Sequence, residues 1–120
     1  MKYTESHEWV DARGGVAVIG ISEFAQDELG DIVYVELPEL GRTVSAGEDV
    51  AVLESTKAAA DVYSPVGGEI SEVNEKLKEL PELINSSSEK EGWIFKVKMT
   101  DESELERYMG EDQYKAQFQS

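Results

Sequence analysis

The sequence predicts a mainly β chain folded as a flattened β-sandwich, with one short helix in its N-terminal half and helices at its C-terminal end. Three observations predict it. Short apolar, β-branched runs recur along the chain, glycine and proline turns separate them closely, and Trp93–Met99 alternates apolar and polar residues like a half-buried strand. With 120 residues and a hydrophobic fraction of 40%, the chain is one domain, 1–120, with a core of its own.

Trp9–Val10 and Gly15–Ile21 read as strands around a turn at Arg13-Gly14-Gly15. Ser22 is an N-cap for a helix over Glu23–Leu29 that Gly30 stops. A β-branched strand follows over Asp31–Leu37 and ends at Pro38, with turns at Pro38–Gly41 and Ala46-Gly47. Asp49–Glu54 and Ala60–Tyr63 form the arms of a hairpin, spanning 49–64 with its flanks, whose tip holds Ser55, Thr56, Lys57 and Ala58. After Ser64–Gly68 come a strand over Glu69–Val73 and a helical turn over Glu75–Leu80. The polar run Asn85–Glu91 reads as a mobile surface loop. A helical extension covers 101–118: Asp101 and Glu104 have capping-box spacing for a helix through Met109, ended by Gly110, and a last helix runs from Glu111 towards Phe118.

The net charge of −15 is spread along the chain, so the acids form a solvated surface that also attracts basic partners. Nucleic acid would meet like charge almost everywhere and is excluded. There is no cysteine, hence no disulfide, thiol catalysis or cysteine metal site. His7 is the only histidine, so no histidine triad or metal cluster can be completed, and it reads as structural beside Trp9. No apolar run has the length of a membrane span, and the residues after Met1 lack the pattern of a signal peptide or an Arg-rich presequence. The expected location is the bacterial cytoplasm, or the mitochondrial matrix for a processed organellar form. Phe24, Tyr34, Trp93 and Phe95 read as core residues.

Lys57 stands apart. It is the only cation in residues 43–75, an interval with seven carboxylates, and three alanines follow it directly. A lone amine on an open hairpin tip is what a modifying enzyme needs to select one lysine among eight.

The ordered set Ser6-His7-Glu8-Trp9, Ile19-Gly20-Ile21-Ser22, Leu29–Pro38, Gly47-Glu48, Glu54–Ala58, Asp61–Val66 and Gly92-Trp93 resembles the H-protein family of the glycine cleavage system, which are lipoyl carriers. The match runs over roughly residues 3–99 at the family's spacing. Thr56, Ala60, Gly67 and Ser88–Glu91 depart from the usual pattern, which bears on local partner contacts.

The resemblance implies a lipoyl/biotinyl-carrier-like barrel-sandwich hybrid and a non-catalytic, monomeric carrier. It implies lipoate in amide linkage to Lys57, attached by a lipoyl ligase or lipoyl transferase. It also implies three partners: the glycine decarboxylase (P protein), the aminomethyltransferase (T protein) and dihydrolipoamide dehydrogenase (L protein). The carrier passes an aminomethyl group from the first to the second, and the third reoxidises it. By the same resemblance Ser6, Glu8, Leu29 and Asp61 belong to a groove that receives the arm. Amide formation removes the charge of Lys57, so an apolar arm can lie on the protein or swing out, and tethering makes each transfer local.

Alternatives stay open at this level. A relay role, donating lipoyl groups to other enzymes, fits the same residues. A biotin carrier typically sets its lysine between methionines, where Thr56 and Ala58 stand here. A 2-oxoacid dehydrogenase lipoyl domain is shorter and shows Asp-Lys-Ala. A hydrolase using Glu8 and Asp61 has nothing to position a substrate.

Overall fold

A computed structural model describes residues 1–118. Its strands are Lys2–Tyr3 (β1), Glu8–Arg13 (β2), Val16–Ile21 (β3), Ile32–Glu36 (β4), Thr43–Val44 (β5), Asp49–Ser55 (β6), Ala59–Tyr63 (β7), Gly68–Val73 (β8), Phe95–Met99 (β9) and Met109–Gly110 (β10). The α-helices are Glu23–Leu29 (α1), Leu83–Ser86 (α2) and Glu111–Phe118 (α3). All pairings are antiparallel, in one seven-stranded sheet ordered β10-β1-β2-β3-β9-β8-β5 and one three-stranded sheet ordered β4-β6-β7. The expected β-sandwich is what forms.

Inward residues of both sheets share one core. Val10, Ile19 and Val97 of the larger sheet pack with Val35, Leu53 and Val62 of the smaller, each under 5% exposed. Burying such side chains contributes about 1.5–3 kcal/mol apiece, the main force closing the sandwich. A second cluster, Tyr3, Trp9, Met109 and Tyr114, fastens α3 and β10 to the N-terminal strands.

The local signals work as chemistry dictates. Gly14 and Gly15 take φ of 57° and 82°, giving the left-handed turn that matches the twist of the β2–β3 hairpin. The Ser22 hydroxyl accepts from the Ala25 amide at 3.2 Å and starts α1, and Gly30, at φ 81°, ends it.

Four expectations are corrected. Asn85–Glu91 is no free loop: Asn85 accepts from the Ile32 amide and donates to Gly30 O and Gln26 Oε1, while fully buried Ser88 donates to Glu23. Glu89 receives Tyr3 Oη at 2.7 Å and the Glu23 amide at 3.0 Å. This polar segment satisfies backbone groups that a sandwich edge would otherwise bury unpaired.

The helix over 101–109 is instead a 3₁₀ turn, Glu102–Arg107, followed by β10, so Gly110 pairs with Lys2 as a strand residue and ends no helix. Its capping box does not form. Asp101 caps the Ser103 amide, but Glu104 turns away to accept from the Gly67 amide at 2.8 Å. Tyr34 is 54% exposed, because a bulge between Ile32 and Tyr34 breaks the alternation and turns both Val33 and Tyr34 outward. Trp93 is only half-buried and precedes β9, with Lys96 Nζ 4.9 Å above its ring.

Candidate functional site

Lys57 is exposed at the tip of the β6–β7 hairpin. Thr56 and Lys57 form a two-residue loop between Ser55 and Ala58, and neither has positive φ. Such a loop does not match strand twist by itself. Ser55 compensates: its amide donates to Ala58 O at 2.8 Å, and its Oγ accepts from the Lys57 and Ala58 amides, each at 3.1 Å. The Thr56 amide donates to Asp31 O at 3.0 Å, tying the tip to the segment between α1 and β4. Ser55→Ala therefore removes the cap of this turn. We expect a loss of about 1 kcal/mol, a fall of a few degrees in the denaturation midpoint, and a lysine presented in several orientations, seen as slower modification of Lys57 in the still-folded protein.

The Lys57 side chain leans over Gly30. A Cβ built at Gly30 would lie 3.2 Å from Lys57 Cε, so a larger residue would crowd the lysine stem as well as strain the positive φ. Gly30 thus serves twice, as the α1 stop and as the floor beneath the lysine.

Next to Leu29, the residue before Gly30, lies a groove of about 380 Å³. Ser6, Glu8, Leu29 and Asp61, expected to belong together, all line it. They come from four places: the β1–β2 turn, β2, the last residue of α1, and β7. The walls between them are apolar, with Ile21, Phe24, Leu53 and Val62. A chain of CH₂ groups and sulfur fits such walls, and the residues present fit a lipoyl arm on that ground.

Glu8 is 1% exposed and is the most unusual carboxylate of the chain. Its Oε1 accepts from Thr4 Oγ1 and Ser6 Oγ, each at 2.6 Å, and its Oε2 accepts from the Tyr63 amide at 3.2 Å. It thereby joins β2 of one sheet to β7 of the other. Burial pushes its carboxyl above the ordinary range, opposed by these hydrogen bonds. Asp61, by contrast, is exposed on β7 opposite Val52.

Sequence reasoning had assigned His7 a structural place and Phe24 to the core, yet both line the groove. One signal was available for Phe24. Phe24, Ala25, Glu28 and Leu29 share one face of α1 by helical spacing, so a groove touching Leu29 touches them all. For His7 no signal existed, since its ring meets Phe24 of α1 and Tyr114 and Phe118 of α3, all distant in sequence.

The whole chain, residues 1–120, matches the family model for the glycine cleavage H-protein. A glycine cleavage system H protein of Alcanivorax borkumensis is 54% identical over 120 residues, covering 100% of this chain and 94% of that protein. One from Thermotoga maritima is 58% identical over 113 residues, 94% of this chain and 91% of that protein. The crystal structure of an H protein from Mycobacterium marinum superposes with a TM-score of 0.88 at 38% identity, covering 97% of this chain and 94% of that one. The chain belongs to the glycine cleavage H-protein family, lipoyl carriers of the glycine cleavage system.

Proposed function

We propose that Lys57 carries the lipoyl group in amide linkage, and that the groove beside it shelters the arm between visits to the partner enzymes. The observation that supports this reading most is a single one: an exposed lysine on a capped tip leans over Gly30, beside a groove with apolar walls and three carboxylates, Glu8, Glu28 and Asp61. When attached, lipoate supplies a ring disulfide that accepts an aminomethyl group on sulfur and returns as a dithiol to be reoxidised. The chain's own part is to present, orient and protect. The P protein would load the cargo, the T protein remove it and the L protein reoxidise the carrier.

The carboxylates favour this reading over a lipoate-relay role or a biotin carrier. An aminomethyl group is cationic and gains from Glu8 and Asp61, whereas neither a bare lipoyl chain nor biotin carries a positive charge to meet them. The test is peptide mapping of protein from lipoate-fed cells. Lipoate should be found on Lys57 alone; finding it on Lys76, or on no lysine, would overturn the assignment.

The outward residues of the three-stranded sheet also bear on partner choice. Glu36, Glu54 and Asp61 are exposed there, with no cation on β4, β6 or β7. Cations elsewhere are partly spent on neighbours, as in Arg42–Glu48 and Lys96–Glu72. The face around Lys57 thus attracts enzymes with basic rims, and its pull is screened within about 10 Å at 0.1 M salt. Apparent KM for the carrier should rise from low to physiological ionic strength with each partner. A KM independent of salt would mean that the charge serves solubility alone.

A further inference from the structure

His7 is the only residue other than glycine with positive φ among the described residues, at 72°. Such a conformation persists only where its surroundings over-determine it. Its amide donates to Thr4 O, its carbonyl accepts from Ser22, and its ring lies 4.7 Å from those of Phe24 and Phe118. Nδ1 lies 2.7 Å from Tyr114 Oη, and that oxygen lies 2.7 Å from Ser22 Oγ. Tyr114 in turn stacks on Tyr3 with centroids 4.5 Å apart, so its hydroxyl is held in place.

Counting protons along this relay decides the state of the imidazole. Ser22 Oγ already accepts from the Ala25 amide. If Ser22 donates to Tyr114 and Tyr114 donates to a bare Nδ1, every hydroxyl proton is used. If Nδ1 carries a proton, as any imidazolium must, Tyr114 has to donate to Ser22 instead. The Ser22 proton, fully buried, then has no acceptor within the relay. The relay selects neutral His7 with its proton on Nε2.

We infer that Tyr114 is a positioning residue which, through His7, keeps that side of the groove free of positive charge, so that the cationic cargo stays seated until His7 takes up a proton. The inference rests on the groove reading above. An imidazolium would share one groove with an ammonium and drive it out by like-charge repulsion. Other titratable groups face the same space, namely Glu8 on β2, Glu28 on α1 and Asp61 on β7, whereas the Lys57 amine is taken up in the lipoyl amide. Burial pushes the imidazole below the ordinary histidine range more than Glu28 raises it, in line with the relay. Acid also protonates Glu8 and removes an acceptor, so the two effects must be separated by variants.

The test has two parts. Nitrogen NMR of His7 in cargo-free carrier should show a bare Nδ1 and a protonated Nε2, and Tyr114→Phe should relax that preference and move the titration to higher pH. Formaldehyde release from aminomethyl-loaded carrier, divided at each pH by release from free aminomethyl dihydrolipoamide, should rise roughly tenfold as pH falls through the His7 titration, the scale of one like-charge contact. The midpoint should move to higher pH in Tyr114→Phe, and in a Glu8→Gln background, where residue 8 no longer titrates, the rise should vanish in His7→Gln. An Nδ1–H tautomer in the unaltered carrier, an equal midpoint in Tyr114→Phe, or a rise that persists in His7→Gln on the Glu8→Gln background would each overturn the inference alone. If Tyr114→Phe does not fold, the tautomer and His7→Gln still decide. A carrier that protects its cargo no better than the free compound at any pH would remove the groove reading and this inference together, even with the tautomer as stated.

Discussion

Lys57→Arg is expected to abolish carrier activity completely while leaving the fold intact. The guanidinium stays protonated at any pH the protein survives, so it cannot act as the nucleophile that forms the lipoyl amide. Its stem is of similar length and can still lie over Gly30. Lys57 is exposed and makes no ion pair among the described residues, so stability should change by no more than about 0.5 kcal/mol. No other lysine can substitute. Lys78, Lys96 and Lys115 are paired with Glu75, Glu72 and Glu111. Lys2 and Lys98 lie along strands, Lys76 in a 3₁₀ turn and Lys90 in the segment before β9. None sits on a two-residue hairpin tip that can enter a modifying enzyme. Intact mass after incubation with lipoate, ATP and a lipoate ligase should show one adduct on the unaltered chain and none on the variant. An adduct on Lys57→Arg, or any residual turnover in a reconstituted glycine cleavage assay, would refute the assignment.

What could be read from the sequence was whatever neighbouring residues decide. The α1 bounds follow from Ser22 and Gly30, each a local conformational preference, and the β6–β7 hairpin follows from alternation around a short polar tip. The two-residue strands β1, β5 and β10 were invisible, because two residues carry no period and their hydrogen bonds come from distant partners. Polar composition misled at Asn85–Glu91. Side chains that would face water in a loop are used here on buried amides and carbonyls.

The groove was harder still. Charge and spacing bring out Lys57, but they say nothing of Glu8, whose third partner, the Tyr63 amide, is 55 residues away. A glutamate is rarely buried, so residue type argues for the surface; only Thr4 and Ser6, two hydroxyls close in sequence, hinted at a satisfied carboxylate. His7 meets Tyr114 across 107 residues, beyond any local pattern. The groove candidates came from family resemblance, and their convergence on one cavity is a tertiary fact.

Glu8→Gln should shorten the life of the loaded carrier without unfolding it. The cargo has a cationic amine on an S–C–N linkage that water can hydrolyse, so shelter and a charged partner both slow its loss. Glu8 Oε2 accepts only the Tyr63 amide and keeps capacity for the amine. A sheltered charge-assisted hydrogen bond contributes on the order of 1.5–3 kcal/mol, roughly ten- to hundredfold in release rate. Because only the cationic cargo gains it, the loaded arm should rest in the groove and the oxidised arm swing free.

Glutamine keeps the shape and its Oε1 can still accept from Thr4 and Ser6; its Nε2 cannot accept from the Tyr63 amide, a cost of about 1–3 kcal/mol that lowers stability without unfolding the sandwich. The pH sign is fixed by the direction of the Glu8 shift. A buried carboxyl held above its ordinary value is costly to ionise in the fold, and that cost disappears as pH falls through the raised value. The amine contact exists above that value and is lost below it. Formaldehyde release from isolated loaded carrier at neutral pH should therefore quicken in Glu8→Gln, and further when Asp61→Asn is added. Unchanged rates in both variants, with lipoylation and fold intact, would leave the groove without a protective role.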